Sequence, residues 1–274
     1  MNSHPFDFLH KNERDGKPRA RGITEIRGPY YTVMGKRYLS DILDTMGPYI
    51  DSLKFAGGSF ALMPPESVKT IIDLAHEHDV LVSTGGFMEY VLTQGKDAVR
   101  QYIRTCAEYE FDIIELSAGF ITIPTDDWLR LIDEVQKAKL KAKPEIGIQF
   151  GAGGGATTES ELKAEGTGDP EWAIQRAKRF LDAGAYMIMI ESEGITENVE
   201  TWRTDVPAKF INALGLEKLM FEAADPPVFA WYIKNYGPEV NLFVDHSQIV
   251  HLECIRSGIW GTKSLWGRVQ SFKE

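Results

Sequence analysis

Short apolar runs that stop on a charged residue recur along this chain, and a turn and a helical pattern follow each of them. The runs stop at Lys54, Glu115, Glu191, Glu222 and Asp245. Parallel strands that are buried on both faces are continuous apolar runs, and in a (β/α)8 barrel their carboxyl ends meet at one functional rim. The pattern therefore predicts a barrel and locates its active face.

Strand and helix patterns alternate along the whole chain. Eight apolar segments predict strands at 22–28, 50–56, 80–84, 112–117, 144–150, 186–192, 218–223 and 240–245. Amphipathic spacing or capping residues predict helices at 35–49, 64–79, 95–110, 124–139, 169–184, 197–215, 226–237 and 247–258. Pro207 is expected to kink or break the sixth of these helices.

The chain length fits one such domain, since these barrels run to roughly 250 residues and the chain has 274. We therefore predict an α/β protein, a single (β/α)8 TIM barrel over residues 21–274, after a flexible N-terminal arm over residues 1–20. An open doubly wound sheet shares the alternation, but no glycine fingerprint follows the first strand. An extended loop at 151–168 follows the fifth strand, and its "GAGGG" could bring backbone N–H groups to an anion. The loop could be a lid over the active site. It could equally be a contact between subunits or an insertion without a function.

The charge and hydropathy of the chain exclude some classes of binding partner. The formal net charge of −10 argues against broad binding to nucleic acid or to anionic membranes. Neither a signal-peptide pattern nor a run of about 18 apolar residues is present, so a soluble, cytoplasmic protein is expected. Trp260 and Trp266, near the end of the sequence, suggest a contact between identical subunits, and a homo-oligomer is expected.

Three strand-end carboxylates predict a metal site. Glu115, Glu191 and Glu222 end the fourth, sixth and seventh strands, and oxygen ligands from separate strands suit Mg²⁺. The alternative is that some of them form ion pairs with Lys54 or Arg27. A buried lysine among carboxylates stays charged, so Lys54 could bind phosphate or polarise a carbonyl, or form a Schiff base.

Other residues near the rim are candidates for catalysis or substrate binding. We take Lys54, Glu115 and His246 as catalytic candidates; the substrate-binding candidates are Arg27, Gly85, Gly86, Gln149 and Asp245. Asp245 and His246 could instead cap the last helix, and the glycine pair could be a simple turn.

Several stretches resemble the phosphosulfolactate synthase family, and more closely its plant branch of heat-stress-associated 32-kDa proteins. They are "TEIRGPYY", "YIDSLKFAGGS", "AHEHDVLVSTGG", "FDIIELSA", "DAGAYMIMIE", "EKLMFEA" and "YGPEVNLFVDHSQIVHLECIR", so the resemblance covers about residues 21 to 258. It implies a (β/α)8 barrel and a Mg²⁺-dependent addition of sulfite to phosphoenolpyruvate, giving phosphosulfolactate on the way to coenzyme M.

The resemblance also implies roles for individual residues. Lys54 matches the family's strand-end lysine, the glutamates Glu115, Glu191 and Glu222 match its strand-end glutamates, and Arg27 falls where the family has a basic residue. A metal would hold the carboxylate and enolate oxygens of phosphoenolpyruvate, and basic groups would hold phosphate and sulfite. An acid would protonate the methylene carbon or its equivalent.

Two stretches depart from the family's pattern. "QFGAGGG" stands where the archaeal sequences have a lysine pair, and "ESEGIT" stands where they have an arginine. Three functions therefore remain open: a Mg²⁺-dependent lyase acting on a small anionic substrate such as phosphoenolpyruvate, an enzyme altered towards another anion, and an inactive barrel that acts in heat-stress tolerance through protein interaction.

Overall fold

The computed structural model describes residues 5–149, 158–165, 168–223 and 225–271, and its eight parallel strands close into one barrel. The strands are β1 (Thr24–Arg27), β2 (Ser52–Lys54), β3 (Leu81–Ser83), β4 (Ile113–Leu116), β5 (Lys141–Ile146), β6 (Ile188–Ile190), β7 (Leu219–Glu222) and β8 (Leu242–Asp245). Each strand pairs with the next, and β8 pairs with β1. This confirms the predicted (β/α)8 TIM barrel.

Helices surround the barrel. They are α1 (Lys36–Met46), α2 (Pro65–Glu77), α3 (Met88–Thr93), α4 (Lys96–Glu108), α5 (Thr125–Lys137), α6 (Glu159–Glu165), α7 (Pro170–Asp182), α8 (Asp205–Leu214), α9 (Pro226–Tyr236) and α10 (Ile249–Arg256). The short helices α3 and α6 were not predicted. The helix predicted at 197–215 begins only at Asp205, so Pro207 lies in its first turn, where a backbone N–H has no intrahelical partner to lose. The expected break at Pro207 is therefore wrong.

The strands alternate between two environments. Outward residues such as Ile26, Leu53 and Val244 are fully buried against the helices in the main hydrophobic core. Inward residues form a separate layer inside the barrel, where Met189 and Phe243 belong to a small apolar cluster. This alternation carries the inward charged residues to the cavity at the carboxyl ends of the strands.

The fifth strand differs most from the prediction. It runs from Lys141 to Ile146, whereas the prediction placed it at residues 144–150. The prediction missed the beginning of the strand because charged residues at alternate positions interrupt its apolar pattern. Lys143 and Glu145 are two residues apart, so their side chains share one face of the strand. Both belong to the barrel interior, where Glu25 and Glu115 from other strands form ion pairs with Lys143.

The N-terminal segment lies against the end of the barrel opposite the candidate site. Residues 5–20 contain no helix or strand. The Asn12 amide donates hydrogen bonds to the carbonyl oxygens of Arg256 (3.0 Å) and Val269 (2.9 Å), and Arg19 pairs with Asp51 at 2.7 Å. Among the residues that the structure describes, no helix has the length and apolar character needed to cross a membrane.

Candidate active site

A cavity of about 810 Å³ opens at the carboxyl ends of the strands. It is lined by charged side chains at or near the carboxyl ends of separate strands, namely Arg27, Lys54, Glu115, Glu145, Glu191 and Glu222. Closure of the barrel brings these groups together although they are far apart in sequence. The rim that the sequence predicts as functional is therefore a real cavity with charged walls.

Three carboxylates in the cavity form a group suited to a cation. Glu145, Glu191 and Glu222 each offer an oxygen within 4.8 Å of the others. Burial and the nearby Glu115 carboxylate raise the pKa of Glu145 to about 8. Burial, with Glu222 and Glu145 nearby, raises the pKa of Glu191 well above its ordinary value. A divalent cation would relieve this crowding of negative charge, and an all-oxygen ligand set fits Mg²⁺.

Glu115, the third ligand that the sequence suggests, lies in a different group. Its Oε2 atom is 2.7 Å from Lys54 Nζ and 3.1 Å from Lys143 Nζ. Lys143 Nζ is also 2.5 Å from Glu25 Oε2. We call Glu25, Lys54, Glu115 and Lys143 the buried quartet, since each side chain is at most 5% exposed. The ion-pair alternative thus describes Glu115, and Glu145 takes the expected place of Glu115 beside Glu191 and Glu222.

The buried quartet fixes the charge of Lys54. Burial alone would lower the pKa of Lys54, but the carboxylates of Glu115 and Glu25 outweigh it and raise that pKa. Burial likewise opposes ionisation of Glu115, but Lys54 and Lys143 outweigh it and hold the Glu115 pKa below its ordinary value. An amine that is protonated in the resting site suits anion binding, or donation of its proton to a strongly basic carbon, and does not suit a Schiff base, which requires the neutral amine.

Arg27 is the second basic group that lines the described cavity. Its Nη2 donates a hydrogen bond to Glu222 Oε1 at 2.9 Å. The guanidinium carbon lies 4.9 Å from the Tyr31 ring centre and 5.0 Å from that of Phe243. The guanidinium is therefore held between two rings, beside the carboxylate group that could bind metal.

His246 and Asp245 lie just outside the cavity lining. His246 Nδ1 is 2.9 Å from the Arg27 carbonyl oxygen, which can only accept, so this nitrogen carries the proton. Its Nε2 is 3.0 Å from the Tyr38 hydroxyl. Asp245 Oδ1 accepts hydrogen bonds from the Ser247 backbone N–H (3.0 Å) and hydroxyl (2.6 Å), which is the capping arrangement. These contacts place His246 as a support for Arg27 and Asp245 as a cap.

The glycine candidates differ from each other. Gly85 has φ +63°, and a Cβ there would lie 2.6 Å from the Phe55 carbonyl oxygen, so backbone packing requires a glycine. Gly86 lines the cavity. The "GAGGG" stretch of the long loop lies outside the described residues.

Gln149 contacts the long loop rather than the cavity. Its amide donates a hydrogen bond to the carbonyl oxygen of Leu162 in α6 at 2.9 Å. Lys163, also in α6, is 74% exposed and lies 3.5 Å from Glu200. Neither residue is part of the cavity lining that the structure describes.

The sequence-based search missed Glu145 and Lys143. Both lie inside β5 rather than at the end of an apolar run, so the strand-end signature does not select them. The spacing of two charged residues at i and i+2 in a strand flanked by apolar segments is the signal that could have found them.

Comparisons with known proteins identify the family of the chain. The model of the family "(2R)-phospho-3-sulfolactate synthase (ComA)" matches residues 12–262. The chain is 40% identical over 258 residues to Protein HEAT-STRESS-ASSOCIATED 32 of Arabidopsis thaliana, covering 91% of this chain and 90% of that protein. It is 26% identical over 263 residues to the phosphosulfolactate synthase of Methanothermobacter thermautotrophicus, covering 93% and 96%.

A solved structure supports the fold alone. The carboxyl transferase domain of Rhizobium etli pyruvate carboxylase, solved with pyruvate, superposes with a TM-score of 0.59 at 13% identity. The match covers 86% of this chain and 45% of that chain. At this level of identity the likeness is one of barrel architecture.

Proposed function

The chain belongs to the (2R)-phospho-3-sulfolactate synthase family, and on that premise we propose that it adds sulfite, or a related nucleophile, to phosphoenolpyruvate or a similar anionic substrate. The observation that carries the proposal is the cavity in which Glu145, Glu191 and Glu222 face Arg27 and Lys54. Carboxylates for a metal and cations for an anion are what the addition requires.

Glu145, Glu191 and Glu222 would hold Mg²⁺. When bound, the ion would supply positive charge for the carboxylate and enolate oxygens of the substrate. Glu191 is already oriented for this role, since its Oε1 accepts hydrogen bonds from the backbone N–H groups of Ser192 (2.8 Å) and Glu193 (3.0 Å).

Lys54 and Arg27 would bind and protonate the substrate. The product name places sulfur on C3, so the new C–S bond forms at the methylene carbon and uses the sulfur lone pair. The electron pair of the carbon–carbon double bond moves toward C2 and the carboxylate, and the proton goes to C2 rather than to the methylene carbon. We assign this proton to Lys54 Nζ, because Glu115 and Glu25 keep the amine protonated.

Arg27 would orient the anion. Its guanidinium has five N–H donors, and one of them is bonded to Glu222. Its remaining donors can bind phosphate or sulfite oxygens, in the bidentate manner that guanidinium groups favour. His246 would keep Arg27 in place through the backbone carbonyl oxygen of that residue.

A second candidate function rests on the charge of the cavity. Eight carboxylate residues and two basic residues line the described cavity, and both basic residues are ion-paired. Two anionic substrates would meet strong repulsion there without a bound cation. A barrel altered in catalysis, acting in heat-stress tolerance through protein interaction, is therefore the alternative, in keeping with the name of the Arabidopsis thaliana relative.

Product analysis separates the two candidates. Purified protein would be incubated with phosphoenolpyruvate, sulfite and Mg²⁺, and phosphosulfolactate would be detected by mass spectrometry. The Lys54→Arg variant keeps the charge but loses a transferable proton, so we expect product formation to fall by about 100-fold or more while phosphoenolpyruvate still binds. Lys163→Ala, on the exposed α6, is the control and should behave as the wild type. Absence of product from wild-type protein at high concentration would reject the synthase activity in favour of the altered barrel.

A further inference from the structure

One half of the cavity wall is aromatic. Tyr30 and Tyr31 come from the loop after β1, Phe87 and Tyr90 from the segment after β3, and Phe120 from the loop after β4, and all five line the cavity. Tyr31 is 70% exposed and Tyr90 is 59% exposed. Large rings gathered in a concave site and open to water are typical of a surface that a ligand covers.

Two glycines after β2 seat these rings. Gly57 and Gly58 have φ values of 59° and 68°, in the left-handed region that favours glycine. A Cβ at Gly57 would overlap the Tyr30 ring, and a Cβ at Gly58 would overlap the Phe87 ring. Two successive glycines of this kind cost conformational entropy on folding. The placement of the rings against the backbone is therefore a built feature of the mouth.

The opposite half of the wall is acidic. The segments after β6 and β7 contribute Glu193, Glu197 and Asp225. Arg27 lies at the border between the halves, since it contacts the Tyr31 ring and also donates to Glu222. A ligand whose charged head meets Arg27 and the carboxylates would extend its other end along the rings.

The size of the cavity is consistent with a ligand of this kind. Its volume of about 810 Å³ lies within the range of roughly 300–1,000 Å³ that holds drug-sized ligands. A three-carbon phosphate ester occupies a small part of such a space and leaves the aromatic half without a contact.

From these observations we propose that the preferred substrate carries a planar ring, or an equally flat apolar group, attached to the anionic head. This inference rests on the proposed function for the anionic head of the substrate. The aromatic half of the cavity wall is then the surface that selects among substrates with the same head. Tyr31 and Tyr90 contact the appended ring, and they set which substrate is preferred without taking part in the chemistry.

Calorimetry with two related ligands tests the proposal. In the presence of Mg²⁺, the dissociation constants of phosphoenolpyruvate and of its derivative with a phenyl ring on the methylene carbon would be compared. We expect the phenyl derivative to bind about tenfold more tightly to the wild type, since stacking on exposed rings adds to apolar burial. Tyr31→Ala and Tyr90→Ala should each remove most of this preference. Because the Tyr31 ring also contacts the Arg27 guanidinium, Tyr90→Ala is the variant expected to leave the phosphoenolpyruvate constant within about twofold. Phe8→Ala, 80% exposed in the N-terminal segment, is the matched control.

The outcomes distinguish the inference from the proposed function. If phosphoenolpyruvate binds and reacts but the phenyl derivative binds no better, the inference is overturned and the synthase activity stands. If the phenyl derivative binds in a Tyr31-dependent manner and phosphoenolpyruvate yields no product, the inference is supported and the synthase activity is rejected. If neither ligand binds, both are overturned.

Discussion

Replacing Lys143 with methionine is expected to destabilise the barrel strongly. Lys143 Nζ lies 2.5 Å from Glu25 Oε2 and 3.1 Å from Glu115 Oε2, and the three side chains are at most 1% exposed. Methionine fills a similar volume, so the variant removes a charge rather than creating a large cavity. It would leave two buried carboxylates facing the single cation of Lys54.

The magnitude follows from the burial of these charges. Removing one partner of a buried ion pair costs about 3–5 kcal/mol, because the other charge is left uncompensated in a dry environment. That loss is a large share of the roughly 5–15 kcal/mol by which folded proteins are stable. For a chain of this size we expect the Tm to fall by about 6–10 °C.

A second substitution tests the cause. Glu25→Gln in the Lys143→Met background restores neutrality, because Lys54 and Glu115 then remain as one ion pair with an Nζ–Oε2 distance of 2.7 Å. The glutamine oxygen can still accept the hydrogen bond that Ser52 donates to Glu25 at 3.1 Å. The double variant is therefore expected to recover at least half of the lost free energy of unfolding, as a double-mutant cycle would measure.

Urea unfolding at pH 7, followed by circular dichroism, provides the measurement. Lys137→Met is the control, since Lys137 is 72% exposed and its ion pair with Asp133 lies at the surface. Its unfolding midpoint should match that of the wild type, because exposed ion pairs add little to stability. A Lys143→Met variant within about 1 kcal/mol of the wild type, or a double variant no more stable than the single one, would refute the electrostatic account of the buried quartet.

Three further predictions concern the carboxylate group and the glycine pair. Glu145→Gln and Glu191→Gln should each abolish the heat of Mg²⁺ binding in calorimetry, whereas heats identical to those of the wild type would exclude the proposed ligands. In the metal-free protein the pKa of Glu145 is raised to about 8. The protonated Glu145 side chain therefore contributes stability that is fully present below the pKa of this group in the unfolded chain and is lost as the pH rises through about 8. Glu145→Gln should accordingly raise the Tm, measured with a chelator, more at pH 8.5 than at pH 5, and an equal change at both pH values would contradict this sign. Gly57→Ala should cost about 1–3 kcal/mol in a thermal unfolding assay, because of its positive φ and the Tyr30 ring. Gly16→Ala, with no atom within 4 Å of the added Cβ, is its control, and a Gly57→Ala cost no larger than that of the control would be evidence against the seating of the ring.

The architecture was largely predictable because it depends on local patterns. Outward residues such as Leu53, Ile114 and Phe221 must be apolar, since helices cover that face of every strand. The same requirement fixed the number of strands and their order along the chain. The prediction was wrong about the bounds of β5, because the inward Lys143 and Glu145 interrupt the apolar pattern of that strand.

The sequence predicted where the charged residues gather, but not which of them form ion pairs with each other. Glu115 and Glu145 are both carboxylates on inward positions of neighbouring strands, and their sequences do not distinguish a metal ligand from an ion-pair partner. The distinction depends on Lys143, the register partner of Glu115 on the neighbouring strand, whose Nζ lies 3.1 Å from Glu115 Oε2. His246 is likewise a catalytic candidate by its place after β8, and only the structure shows that its ring nitrogens contact the Arg27 carbonyl and the Tyr38 hydroxyl.

The sequence by itself determined the barrel and the presence of charged residues at the carboxyl ends of its strands, because burial imposes the same periodic pattern on each strand wherever it lies in the chain. Only the tertiary structure decided which charges neutralise each other and which remain to meet a ligand. Electrostatic interactions in a buried site depend on distances of a few ångströms between residues from different strands. Those distances exist only after the barrel has closed, and they leave Glu145, Glu191 and Glu222 together beside Arg27 at the mouth.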